Sequence, residues 1–149
     1  LNSKLTKQLY EKYPVVFGQH KLPMTETAMC WGFDCGDGWY NIIDCLAFLI
    51  QRENERLKEE DRNVTIQATQ VKEKLGTLRF YTNYSTGYTS GAIHMAEAIS
   101  GCICEVCGST DGVSQTEGWI HTLCKRCKRR YTRRGWLRSL KYRVKKLVS

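Results

Sequence analysis

The chain has 149 residues, 42% of them hydrophobic and 26% charged. These proportions exclude wholesale disorder and suffice for one cored domain plus a small accessory unit. No apolar run approaches the length of a membrane span, and no cleavable N-terminal signal is expected. The net charge of +8 is unevenly spread: residues 1–124 carry 11 Lys/Arg and 15 Asp/Glu, whereas residues 125–149 carry 12 Lys/Arg and no acids. A mildly acidic body with a strongly basic tail points to a partner that bears phosphates, or to an acidic surface.

Residues 3–13 predict a helix capped by Ser3, with Leu5, Leu9 and Tyr13 on one face. Pro14 ends it, because the residue before a proline is pushed out of the α region. Residues 15–30 show no period and read as irregular. W-G-F-D-C-G-D-G-W-Y (31–40) follows. Its mechanical reading is a tight loop with Asp37 as helix N-cap. Its functional reading is a ligand loop of Trp31, Asp34, Asp37, Gly38 and Trp39, in which free N–H groups bind an anion and the tryptophans stack on a ring.

Residues 38–60 read as the longest helix, with Trp39, Ile42, Ile43, Leu46, Leu49, Ile50 and Leu57 as its apolar stripe. Cys45 is expected to be a buried thiol, and Asn63 to stop the helix. Residues 64–84 alternate, and Gly76–Thr77 marks a turn, so this stretch is a hairpin candidate. If Leu78, Phe80 and Thr82 face the core, Lys72, Lys74, Arg79 and Tyr81 share the other face. That face is either an ordinary solvated surface or a basic, aromatic-bearing surface suited to nucleic acid or a nucleotide. Residues 85–91 read as a flexible loop and 92–100 as a short helix capped by Ser90. His94 and Glu97, one turn apart on it, are a weak acid–base candidate.

Cys104, Cys107, Cys124 and Cys127 form two C-x-x-C pairs separated by sixteen residues. Each pair turns two sulfurs to one side of a tight knuckle, and two knuckles meeting give a tetrahedral four-thiolate zinc site. Gly108 lets the backbone turn under the metal. Four protein thiolates leave no open position, so the Zn2+ is expected to be structural, with His121 a loop residue rather than a ligand. About twenty-seven residues bury too little apolar area to fold alone, and metal binding supplies on the order of 10 kcal/mol or more. With four cysteines committed to metal, a reducing compartment is expected.

In the tail, Trp136, Leu140, Val144 and Leu147 recur near helical spacing amid Arg138, Lys141, Arg143, Lys145 and Lys146. Such a basic amphipathic helix contacts phosphates, lies on an anionic membrane, or packs its stripe on the body. Packing together with phosphate contact is the preferred reading. Arg129, Arg130, Arg133, Arg134, Arg138, Lys141 and Lys145 are therefore candidate nucleic-acid contacts, and binding through them would weaken steeply with salt.

The motifs W-G-F-D-C-G-D-G-W-Y (31–40), Q-V-K-E-K-L-G-T-L-R-F-Y (70–81), C-E-V-C-G (104–108) and G-W-I-H-T-L-C-K-R-C (118–127) together resemble a family of small phage and prophage proteins. Members share C-G-D-G-W, V-K-E-K-x-G-x-L-R-F-Y and a C-terminal zinc ribbon in that order. The resemblance spans about residues 5–128 and leaves the basic tail outside. It implies a context, a mobile element in the cytoplasm of a bacterial host, rather than a mechanism. Proteins of this size in such genomes often bind nucleic acid, regulate, or neutralise host defences.

The sequence thus predicts an α+β fold. Helices packed on an antiparallel hairpin or sheet occupy 1–101, a zinc ribbon 102–128, and a basic amphipathic helical tail 129–149. The expected function is non-enzymatic nucleic-acid binding by a phage accessory protein. The alternative is a counter-defence protein that sequesters a nucleotide signal or inhibits a host protein. No catalytic constellation is apparent.

Overall fold

The computed structural model describes residues 1–132. Of the predicted tail contacts, Arg133, Arg134, Arg138, Lys141 and Lys145 lie outside the described residues. Helix α1 spans Ser3–Lys12 and is capped by Asn2, whose side chain accepts from the Leu5 N–H at 3.0 Å. The cap is one residue earlier than expected because Ser3 already lies inside the helix. Residues 15–30 are more ordered than their aperiodic sequence suggests. Two short 3-10 turns, Gly18–Lys21 and Ala28–Trp31, flank a tight bend. Val16, Phe17 and Met29 are driven inward there.

The sheet is mixed rather than purely antiparallel. Strands β2 (Ala68–Lys74) and β3 (Thr77–Thr82) form the predicted hairpin. A two-residue strand β1 (Phe33–Asp34) adds to β2 in parallel, with Asp34 opposite Lys72. The turn between β2 and β3 is Leu75–Gly76, both at positive φ (52° and 78°). Two left-handed residues match the right-handed twist of the strands they join, but such a turn favours Asn-Gly and disfavours leucine.

Helix α2 spans Tyr40–Glu59 and is entered through a 3-10 turn at Asp37–Trp39. It buries Ile43, Leu46, Ala47, Ile50 and Leu57 against the sheet. Its chain reverses at Asp61, which takes φ 54°, two residues before the expected stop at Asn63. Cys45 is exposed, contrary to expectation. At 3.6 residues per turn its position falls well away from the line through Ile43, Leu46 and Ile50.

Helix α3 spans Gly87–Ser100 and so takes in most of the stretch expected to be a loop. The reason is a capping box: Thr86 accepts from the Thr89 N–H, and Thr89 accepts from the Thr86 N–H. This supplies a start that Ser90 does not provide. The Thr86 hydroxyl donates to Glu53 Oε1 at 2.6 Å. Glu53 is buried in α2 and also accepts two 2.9 Å bonds from Arg56. The Arg56 guanidinium holds this carboxyl down at about 2.

The outer edge of β3 is covered by α3. The Leu78 N–H donates to Ser100 Oγ at 2.8 Å, and the Phe80 N–H to Glu97 Oε1 at 3.1 Å. Side chains thereby satisfy a strand edge that would otherwise template further pairing. Leu78, Phe80, Val71, Phe33 and Phe17 meet beneath the sheet, with the Phe17 and Phe33 rings edge-on at 5.0 Å.

Strands β4 (Val113–Gln115) and β5 (Thr122–Cys124) pair antiparallel as the small ribbon. Residues 125–132 are helical. Among the described residues, no helix is long and apolar enough to cross a membrane.

Candidate metal centre and nucleic-acid interface

The sulfurs of Cys104, Cys107, Cys124 and Cys127 all lie within 4.8 Å of one another. Cys107 Sγ and Cys124 Sγ are 3.7 Å apart. Metal–sulfur bonds of about 2.3 Å at tetrahedral angles put sulfurs about 3.8 Å apart, so the donor set fits one metal ion. The local folds explain how. The Gly108 N–H returns to the Cys104 carbonyl at 2.8 Å, with Gly108 at φ 74°. On the second side, Cys124 ends β5 and Cys127 lies in the first turn of the helix that follows. The Cys127 backbone N–H draws the pKa of the Cys124 thiol down, whereas burial pushes that of Cys127 up. Cys104, Cys124 and Cys127 are buried, whereas Cys107 is exposed.

His121 points away from this shell. Its Nδ1 lies 3.2 Å from Glu105 Oε2, and its ring meets Tyr131 edge-on at 5.2 Å. Glu105 is a junction: its carbonyl accepts from the Gly38 N–H at 2.7 Å, and its Oε1 from the Gly36 N–H at 3.1 Å.

These bonds give the C-G-D-G-W loop its role. The loop is the seat of the first metal knuckle. A Cβ added to Gly38 would stand 2.1 Å from the Cys104 carbonyl oxygen, and one on Gly36 would stand 2.3 Å from that of Glu105. Both glycines are needed because backbone lies directly against backbone. Trp39 is 0% exposed and donates its indole N–H to the Ile103 carbonyl at 2.9 Å. Trp31 is 72% exposed. The pair expected to bracket a ligand therefore does not form: Trp39 is core, and Gly38 is covered. Asp37 is not a helix cap; its carboxylate accepts from the backbone and side-chain N–H groups of Asn2 at 2.7 and 2.8 Å. These bonds hold its pKa below the usual range. Asp34 is exposed on β1 beside Lys72.

The hairpin meets the ribbon at its turn. The Thr122 hydroxyl donates to the Gly76 carbonyl at 2.5 Å. A Cβ on Gly76 would lie 2.9 Å from Ile120 Cγ2 and 3.0 Å from Gln115 Nε2. Gln115 in turn accepts, through its carbonyl, from Lys128 Nζ at 3.1 Å. A continuous path of contacts thus runs from the hairpin turn through β4 to the helix over 125–132.

On the hairpin, Lys72 and Arg79 face each other across the strands, as expected from their spacing. Lys72 Nζ lies 6.0 Å from the centre of the exposed Tyr81 ring, and Lys74 is exposed beside the turn. Arg79 is partly committed elsewhere. It bonds Thr77 Oγ1 and the Leu78 carbonyl, both at 2.7 Å, and lies 3.8 Å from Glu97. Glu97 is therefore occupied by β3, and His94 is exposed. Arg129 and Arg130 are exposed on the helix after the metal site.

Sequence reasoning missed Trp119. It is 76% exposed and lines a cleft of about 320 Å³ with Glu73, Lys74, Leu75, Gly118 and Ile120. A large aromatic directly after the E-G turn signal was the available clue. Comparison of the chain with family models, with curated proteins and with solved structures finds no match.

Proposed function

We propose that the chain is a zinc-stabilised, non-enzymatic accessory protein of a phage or prophage that binds nucleic acid. The zinc assignment rests on the donor set: four thiolates and no open position suit a redox-inert tetrahedral ion with a structural role. Elemental analysis of the purified protein should find one zinc per chain. One iron in its place would overturn that assignment.

The observation that carries the binding proposal is the Thr122–Gly76 bond. It ties the hairpin, which carries Lys72, Lys74 and Tyr81, to the ribbon, which is followed by the exposed Arg129 and Arg130. On this reading two sources of positive charge distant in sequence act as one surface, which would draw its affinity from phosphate neutralisation. Deleting residues 129–149 should reduce affinity for DNA and RNA at low salt and flatten its salt dependence. Unchanged affinity would refute the proposal.

The counter-defence reading has one observation in its favour. Ile42, Leu49, Met95 and Ile99 line an apolar groove of about 320 Å³ between α2 and α3. Met95 and Ile99 are exposed in it, as a surface for a host protein would require. Affinity purification from the host should then recover a partner with the native chain and lose it with Met95→Glu. Equal recovery with both would dismiss this reading.

A further inference from the structure

We infer that the cleft between the hairpin turn and the ribbon loop is a base-stacking subsite for single-stranded nucleic acid, with Trp119 as its platform. The inference rests on the nucleic-acid-binding reading and deepens it.

Two features of the cleft lack a role in folding. Trp119 is exposed, yet its loop is tightly held. The Thr116 hydroxyl donates to the Trp119 carbonyl at 2.7 Å and accepts from the His121 N–H at 2.8 Å, while the Thr116 N–H donates to the His121 carbonyl at 2.9 Å. The loop therefore presents the indole from a fixed base without burying it. Leu75 is 64% exposed and occupies a left-handed backbone position that disfavours leucine. Asparagine would suit the turn better and would be better solvated. An exposed apolar side chain at a strained position is a feature to explain by binding.

The charge around the cleft selects the occupant. Lys74 lines it, and Lys72 continues the same strand. Lys128 is tied to Gln115, which touches the hairpin turn. Of the acids, Glu73 lies in the wall with Oε1 turned onto the Gly76 N–H at 2.6 Å. Glu117 is exposed just before Gly118. A planar base lies against the Trp119 indole with Leu75 beside it, and Lys74 takes the adjoining phosphate. Paired bases present only their edges to a protein, so the cleft selects single strands.

The test uses full-length, metal-loaded protein, a short oligothymidylate, and a duplex of equal length. Binding of the oligothymidylate should quench tryptophan fluorescence. Trp119→Ala should lose most of that quenching and about 5- to 100-fold in single-strand affinity, with the salt slope unchanged. Duplex affinity should stay as it was. Lys74→Ala should instead lower the salt slope by about one. Trp119 is exposed, so its replacement leaves the fold intact, and the thermal midpoint checks this. Single-strand affinity unchanged by Trp119→Ala would overturn the inference and assign the cleft's apolar rim to a protein partner. So would an equal loss for single strand and duplex. In both cases nucleic-acid binding itself would stand. Native protein that binds neither probe at low salt would overturn both.

Discussion

The Gly38 N–H donates to the Glu105 carbonyl at 2.7 Å, and the Gly38 Cα is so close to the metal knuckle that a Cβ would meet the Cys104 oxygen at 2.1 Å. Gly38→Ala should therefore force the knuckle off its seat and cost about 1–3 kcal/mol, the usual range for overpacking. Thermal unfolding and chelator-driven metal release should both move in the destabilised direction. Gly91→Ala is the matched control. A Cβ there meets nothing within 4 Å, and the residue lies inside α3. That substitution should stabilise by about 0.5–1 kcal/mol.

Leu75 and Gly76 form a turn in which both residues have positive φ. Leu75→Asn should relieve the strain and raise stability by about 1 kcal/mol, read as a higher denaturation midpoint. If Leu75 serves the cleft, the same variant should bind oligothymidylate more weakly. More stable and less active is the expected pair of outcomes.

Glu53 joins α2 to the capping box of α3 through Arg56 and Thr86. Its folded pKa, about 2, lies below the ordinary 4.5. A carboxyl lowered on folding adds stability above its unfolded pKa and loses it as pH falls toward the folded value. Glu53→Gln should thus be destabilised near neutral pH by about 1–3 kcal/mol. The gap between native and variant should close from about pH 4.5 down to about pH 2. Denaturant titrations of both proteins at each pH would show it. A gap constant with pH would mean that the Glu53 charge contributes nothing.

Replacing Cys104 or Cys127 with Ser should remove a buried ligand and cost the ribbon its order, because metal binding and folding are coupled here. Cys45→Ser alters an exposed thiol and should leave metal content and unfolding temperature within error of the native protein.

What the sequence reveals follows from how local each determinant is. The cysteine pairs are legible because a metal imposes its own geometry on ligand spacing. The hairpin is legible from alternation around Gly76. Helix α3 is not, because its start depends on Thr86 and Thr89 bonding reciprocally, in a stretch where Gly87 and Gly91 suggest a loop. The purpose of Gly36 and Gly38 is hidden for another reason: the hydrogen-bond partner of the Gly36 N–H lies 69 residues away at Glu105. A glycine needed for close approach looks like a glycine needed for a turn until its neighbour is known. Cys45 shows the opposite limit. It sits in an apolar run, but helical rotation turns it outward.

We propose that the metal site joins the hairpin and the ribbon helix into one binding surface for nucleic acid. Fluorescence anisotropy with a labelled oligothymidylate, comparing metal-loaded and metal-stripped protein in the same low-salt buffer, tests it directly. Stripping should weaken binding by at least about tenfold, to the level of an isolated 129–149 peptide, because linked contacts lose their joint advantage. Equal affinity with and without metal would contradict this assembly and reduce the interface to the tail alone.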